Sequence, residues 1–324
     1  LALNKETKQK KQLAILRATS GRMDLVVYER HGEYGFLSSE KISFRETSYL
    51  SYFKIYPPTV SLQGLIRELQ VYHIKWQDEP GMAKPFITCL ANTEQNLYFY
   101  IHDTVKIVPA EQVEIPVPSV VVTGPKFKPV GLLFGDDHLM IKVLFHPTGT
   151  FRLLNLDMEA TVNNGLDARP FWGDEVVVIL TQLRACSSYD TMASMVFEFL
   201  EKKYHEYCRP AEPIDDVAIQ MLDVENMCSQ QEWAEIACLS PRQFERNFVK
   251  RIGISPKLFN RIVRFEHVLK LKSETPDKSW ITTAVDCGYT DASHLFREFK
   301  EFADFPPALF YSQPTSGYSC LSTG

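Results

Sequence analysis

The last hundred residues carry two pairs of short helical segments, each pair broken by a tight turn, and this repeated punctuation restricts the fold more than any other feature. The spacing in Ser229-Gln-Gln-Glu232 predicts a reciprocal cap, in which each side chain accepts from a backbone donor of the other residue. The helix it opens is expected to turn Trp233, Ile236 and Ala237 inward. Leu239 closes a turn, and Ser240-Pro241-Arg242-Gln243 starts another helix, with Ser240 as N-cap, Pro241 at the first helical position and Gln243 as reciprocal cap. Two short helices about three residues apart are the skeleton of a helix-turn-helix. At about 100° per residue, Phe244, Phe248 and Ile252 fall on one side of the second helix. Arg242, Glu245, Arg246 and Val249 fall on the other. A helix anchored by aromatics and offering arginines outward suits a major groove.

Gly253 ends that helix, and Ser255-Pro256 caps a longer one running to about Lys272. A second pair follows. Trp280, Ile281, Ala284 and Val285 make a short helix that breaks at Cys287-Gly288. Thr290 or Asp291 then caps a helix with Leu295, Phe299 and Phe302 inward and Ser293, His294 and Arg297 on the opposite face.

The segments "LSPRQFERNFVKRIGISPKLFNRIVRFEHVLKL" and "ITTAVDCGYTDASHLFREFKEF" resemble the AraC-type regulators, over about Ile214 to Tyr311. The resemblance implies two helix-turn-helix units joined by one long helix. Carried over by position, base-facing residues fall on Arg242, Glu245 and Arg246 in the first unit and on Ser293, His294 and Arg297 in the second. Two departures stand out: Leu295-Phe296 occupies a place where a small polar residue is usual, and ADFPPALF lacks the usual G-x-S-P. The implied partners are double-stranded promoter DNA, a small-molecule effector, a second copy in a homodimer and, for an activator, RNA polymerase.

Charge is lopsided within this region. Ser240 to Lys272 holds nine Lys or Arg against two acids, whereas Asp286 to Asp304 holds two bases against five acids. Phosphate attraction is therefore expected mainly from the first unit and the linking helix, with Lys250, Lys257 and Arg261 as candidate phosphate contacts. The competing reading is a scaffold or dimerisation protein that has lost operator binding.

Upstream the texture changes. From about Ser51 to Val143, runs rich in Val, Ile, Phe and Tyr are punctuated by Pro and Gly, as in an antiparallel sheet folded into a barrel or sandwich. After Gly149 come a short helix in FRLLNLDM and longer ones over Asp174–Ala185 and Tyr189–Tyr207, the last with Met192, Met195, Val196 and Phe199 on one face. LYFYIHD, VVVTGP and IKVLFHPTGTFRLLNLDMEATVNNGLD are similar to a sensor domain found ahead of AraC-type DNA-binding domains and related to cupin-like barrels. That implies a ligand-sensing or dimerising module.

The expected class is α+β: a β-rich, barrel-like domain with flanking helices over residues 49–207, a linker at 208–213, and an all-α double helix-turn-helix at 214–312. Residues 1–48 read as a leader, with a start at Met23 as one alternative, and 313–324 as a flexible tail. Seven scattered cysteines without a C-x-x-C pair argue for a reducing compartment, and no apolar run approaches the roughly 20 residues of a membrane span, so the expected location is cytoplasmic. His102, His138 and His146 show no H-x-H pair or regular carboxylate, so neither a metal nor another cofactor is expected. G-x-S-x-G, phosphate loops and H-E-x-x-H are absent from the sequence, which reads as a non-enzyme.

Overall fold

A computed structural model describes residues 15–19, 22–26, 49–76, 86–108, 114–226 and 228–312. The strands are β1 (Ile15–Thr19), β2 (Arg22–Val26), β3 (Tyr49–Tyr56), β4 (Ile66–Trp76), β5 (Phe86–Cys89), β6 (Gln95–Tyr100), β7 (Lys106–Val108), β8 (Ile115–Pro116), β9 (Val120–Thr123), β10 (Val130–Leu133), β11 (Asp137–Phe145) and β12 (Gly165–Asp167). Strands β1 and β2 pair with each other. The rest form an antiparallel six-stranded sheet in the order β12-β9-β6-β11-β4-β3 and a four-stranded sheet in the order β5-β10-β7-β8.

Among the described residues both sheets have free edges, so the barrel-like half is two open antiparallel sheets rather than one closed cylinder. The alternating faces of the large sheet explain the arrangement. Leu69 and Val71 on β4, Leu97 and Phe99 on β6, and Ile141 and Val143 on β11 belong to one core and lie under helices. The residues between them, including Tyr72, Tyr98, Tyr100, Met140 and Lys142, face the small sheet across a cavity. A sheet covered on both faces reads as near-continuous apolar runs, the texture seen in the sequence.

Helices follow in chain order: α1 (Gly149–Leu154), α2 (Arg169–Trp172), α3 (Glu175–Ala185), α4 (Tyr189–Tyr207), α5 (Pro213–Gln220), α6 (Gln230–Ile236), α7 (Pro241–Ile252), α8 (Pro256–Glu274), α9 (Trp280–Asp286) and α10 (Ala292–Ala303). Helices α3 and α4 start within a residue of the expected positions and bury Ile179, Leu183, Met192, Val196 and Leu200 against the sheet. Phe199 meets Phe99 and Trp172 edge-on at 6.4 and 5.2 Å.

A second core fills the helical half. Trp233, Phe244, Phe248, Phe259, Phe265, Phe299 and Phe302 are all buried there, joined by Leu90 and Ala91 from the β-rich half. Cys208 to Glu212 is non-helical around Pro210, yet it is tied down: the Arg209 amide donates to the Arg152 carbonyl, and the Arg152 side chain donates back to the Arg209 carbonyl. Among the described residues no helix is long and apolar enough to cross a membrane.

Candidate nucleic-acid interface

Local chemistry sets the two helix pairs. Ser229 accepts from the Glu232 amide while Glu232 accepts from the Ser229 amide, and Ser240 and Gln243 repeat the exchange at the start of α7. Ser255, Ser279 and Asp291 cap α8, α9 and α10 through their side chains. Each cap satisfies a donor that a helix start leaves unpaired, which contributes about 1 kcal/mol.

The turn inside each pair is the same object twice. In the first, the Cys238 amide donates to Glu235 and the Leu239 amide to Ala234. In the second, Gly288 donates to Val285 and Tyr289 to Ala284. Both central residues are left-handed, Cys238 at φ 56° and Gly288 at φ 69°. Glycine holds that conformation without a Cβ clash, whereas cysteine does so at a cost of about 1–2 kcal/mol. Cys238→Gly is therefore expected to raise the urea midpoint, with a gain of about 1 kcal/mol. An unchanged or lower midpoint would show that the Cys238 thiol packs better than its exposed position suggests.

On α7, Phe244, Phe248 and Ile252 are fully buried, and Arg242, Glu245 and Arg246 are exposed, as the helical period requires. On α10, Leu295, Phe299 and Phe302 are fully buried, with Ser293 and Arg297 exposed. His294 is half-buried, its ring edge-on to Tyr289 at 5.3 Å and its Nε2 3.5 Å from Glu298. Among the described residues Arg242, Arg246, Lys250, Lys257 and Arg297 have no ion-pair partner. Ile236 departs from expectation: it is 47% exposed, while Trp233, Ala234 and Ala237 fill the inner face of so short a helix.

The lopsided charge has a structural explanation. Arg261 donates to Glu298 at 2.7 Å and to Glu301 at 2.6 Å, and Arg264 to Glu298 at 3.3 Å. Glu298 is buried, and although burial pushes its carboxyl up, these guanidinium groups hold it below the usual range. Asp286 pairs with Lys278, and Asp291 is the α10 cap. Two of the five acids of the second unit, Glu298 and Glu301, are thus paired with arginines of the linking helix. Arg261, a candidate phosphate contact in the sequence, is occupied inside the domain, and so are Arg264 and the buried Lys272, which donates to the Pro276 carbonyl.

Arg251 is also withdrawn. It is buried over the Phe151 ring at 4.8 Å, pairs with Asp215 at 2.9 Å, and contacts Glu212. Its carbonyl accepts from Gln95 of the β-rich half. Beside it Gly253 lies at φ 100°, and a Cβ there would stand 2.6 Å from the Met158 carbonyl oxygen, so only glycine fits. The last turn of α7 is therefore bolted to the β-rich half while its first turns are open.

Between the two sheets lies a cavity of about 1100 Å³, counting solvent at its mouth, lined mainly by apolar and aromatic side chains. At its polar end Lys142 pairs with Glu94 at 2.7 Å, both side chains being almost fully buried. Burial pushes the Glu94 carboxyl up, but Lys142 outweighs it and the net direction is down. Glu94 Oε1, Thr123 Oγ1 and His138 Nε2 are buried without a protein hydrogen-bond partner. Burial lowers His138 to about 4, so its ring is neutral near pH 7. His146, also lowered by burial, lies elsewhere. His102 meets Asp137 at 3.1 Å, and Asp137 also holds His73, a residue that sequence spacing did not single out.

Residues 233–312 match the family profile of a helix-turn-helix domain. No curated protein matches the chain. Among solved structures the chain is similar to ToxT from Vibrio cholerae at 13% identity and TM-score 0.39, over 74% of this chain and 95% of that one. An unsaturated fatty acid-bound ToxT from Vibrio cholerae strain SCE256 gives 15% identity and TM-score 0.41, over 84% and 98%. The AraC-like transcriptional activator CuxR gives 10% identity and TM-score 0.25, over 78% and 89%. With paired caps, equivalent turns and aromatic-anchored helices on either side of α8, residues 233–312 form a helix-turn-helix domain.

Proposed function

We propose that the chain is a sequence-specific DNA-binding transcription regulator whose helices α7 and α10 enter successive major grooves. The observation that supports this most directly is the pair of matching helix-turn-helix units, each with unpaired arginine on its exposed face. Helix α8, 19 residues or about 28 Å long, separates them by a distance comparable with one turn of B-DNA, about 34 Å. Arg242 and Arg246 are assigned to base edges, with Glu245 orienting them. Ser293, His294 and Arg297 take the corresponding places in the second groove, and Lys250 and Lys257 meet phosphates. Guanine methylation interference on the protein's upstream DNA tests this reading. Two clusters of interfering bases about one helical turn apart are expected. A single cluster would remove α10 from base recognition.

The cavity of the β-rich half is assigned to a small, largely apolar effector with one hydrogen-bonding end, since apolar walls with few convergent polar groups are the usual character of such sites. Its wall is also the hinge to the DNA-binding half. Along residues 91–95, Asn92 and Glu94 line the cavity. Ala91, Thr93 and Gln95 bond to the helical half: Ala91 donates to the Phe302 carbonyl, Thr93 to Glu266, and Gln95 to the Arg251 carbonyl. An effector that rearranges the Glu94–Lys142 pair therefore acts on the segment that holds α7, α8 and α10.

Glu266 gives this contact a pH signature. Its carboxyl is raised from 4.5 to about 8, first by burial and further by Glu94, against the lowering effects of Thr93 and Arg67. The folded state holds a proton that the unfolded chain releases, so its contribution to stability is complete below pH 4.5 and declines as pH rises to about 8. Over that window the melting temperature of the parent is expected to fall more steeply than that of Glu266→Gln. Parallel profiles for the two proteins would mean that the Glu266 carboxyl is already ionised in the folded chain.

A further inference from the structure

We propose a second, unassigned site in the β-rich half: a centre for one divalent transition-metal ion of the zinc class, held by His73, His102 and Asp137. The three residues come from different elements, His73 from β4, His102 from the loop after β6, and Asp137 from the first position of β11. One potential ligand atom from each lies within 4.8 Å of the others. Both imidazoles converge on the same oxygen, with His73 Nε2 at 2.6 Å and His102 Nδ1 at 3.1 Å from Asp137 Oδ1. A tetrahedral ion with bonds of about 2.0–2.1 Å sets its ligand atoms roughly 3.3 Å apart, so Asp137 Oδ1 would retreat by less than about 1 Å from each nitrogen, and the two nitrogens, within 4.8 Å of each other, would close by at most about 1.5 Å.

The surroundings prepare the donors. Tyr189, the first residue of α4, hydrogen-bonds His73 Nδ1 at 2.6 Å and stacks on Tyr52 at 4.0 Å, which aims Nε2 at the carboxylate. Such an outer partner fixes the tautomer of a ligating histidine. The loop bearing His102 is pinned to β11 by donation from the His102 amide to the Leu139 carbonyl and from the Asp103 amide to the Asp137 carbonyl. Lys75 stands 3.3 Å from Asp137 Oδ2, leaving Oδ1 as the single coordinating oxygen. The buried His73 contrasts with the partly exposed His102 and Asp137, so water can complete the coordination from the open side. Two imidazoles and one carboxylate suit Zn²⁺, Co²⁺ or Ni²⁺, whereas Mg²⁺ and Ca²⁺ prefer all-oxygen sites. Bound there, the ion would tie β4 and the start of β11 to the loop after β6.

The test is a Co²⁺ titration of the full chain after chelation and dialysis, followed by Zn²⁺ competition. One equivalent is expected, with visible d–d absorption and no near-ultraviolet thiolate band, which separates this site from the chain's free cysteines. His102→Ala and Asp137→Asn, both at the partly exposed side, are each expected to weaken binding by more than about tenfold with an unchanged circular dichroism spectrum. If either variant loses its native spectrum, His102→Gln and Asp137→Ser take its place under the same criterion. No binding by the parent, a thiolate band, or affinity unchanged in the folded variants overturns the proposal.

Discussion

Replacing Arg251 with alanine is expected to destabilise the protein by about 3–5 kcal/mol, the usual effect of removing one partner from a buried ion pair. Asp215 is 2% exposed, and its carboxylate would lose the 2.9 Å guanidinium contact that compensates its burial. The neighbouring Arg152 stands 3.9 Å away and cannot replace it fully, which places the effect toward the lower part of that range. The variant also removes the guanidinium that covers Phe151 at the junction of the two halves. Urea unfolding followed by tryptophan fluorescence measures the change. Lys250→Ala, one residue earlier and exposed, is the control and is expected to stay within about 0.5 kcal/mol of the parent. If the two variants unfold at the same midpoint, Asp215 finds another partner and the bolt between α7 and the β-rich half is weaker than the contacts indicate.

The second large effect is on binding. Arg246→Ala is expected to weaken operator binding by roughly 1–3 kcal/mol, or about fivefold to more than a hundredfold, and to relax selectivity at one base step. Arg242→Ala is expected to behave alike at a different step. Because both side chains are exposed and unpaired, neither replacement disturbs the fold, and thermal unfolding should be unchanged. Lys257→Ala is expected to weaken all duplexes uniformly and to reduce the salt slope by about one ion. An Arg246→Ala protein that loses affinity equally for operator and scrambled duplex would move Arg246 from base recognition to the phosphates.

Much of the helical half was legible because its signals are local. A cap is decided within three residues, so Ser229, Ser240 and Ser255 announce their helices without tertiary information, and the 3.6-residue period separates Phe244 and Phe248 from Arg242 and Arg246. What escaped the sequence depends on contacts distant along the chain. Arg261 lies 37 residues before Glu298, and nothing in the spacing pairs them. Whether the strands close into a barrel or pack as open sheets depends on strand pairings that no run of Val and Ile specifies. His73 was passed over for a similar reason. It enters the cluster with Asp137 only because β11 runs antiparallel to β4 in a register that sets His73 opposite Leu139. A seven-residue helix such as α6 has too few turns to say whether Ile236 or Ala237 faces inward.

DNA sequence recognition by this chain is measured by fluorescence anisotropy of the full-length protein with its own upstream DNA and with scrambled duplex, across a salt series. Tight binding to the first duplex, at least about a thousandfold weaker binding to the second, and a steep loss of affinity for both as salt rises are expected. Equal affinity for the two duplexes at every salt concentration, or no binding to either, would contradict sequence recognition and favour a scaffold that has lost operator binding.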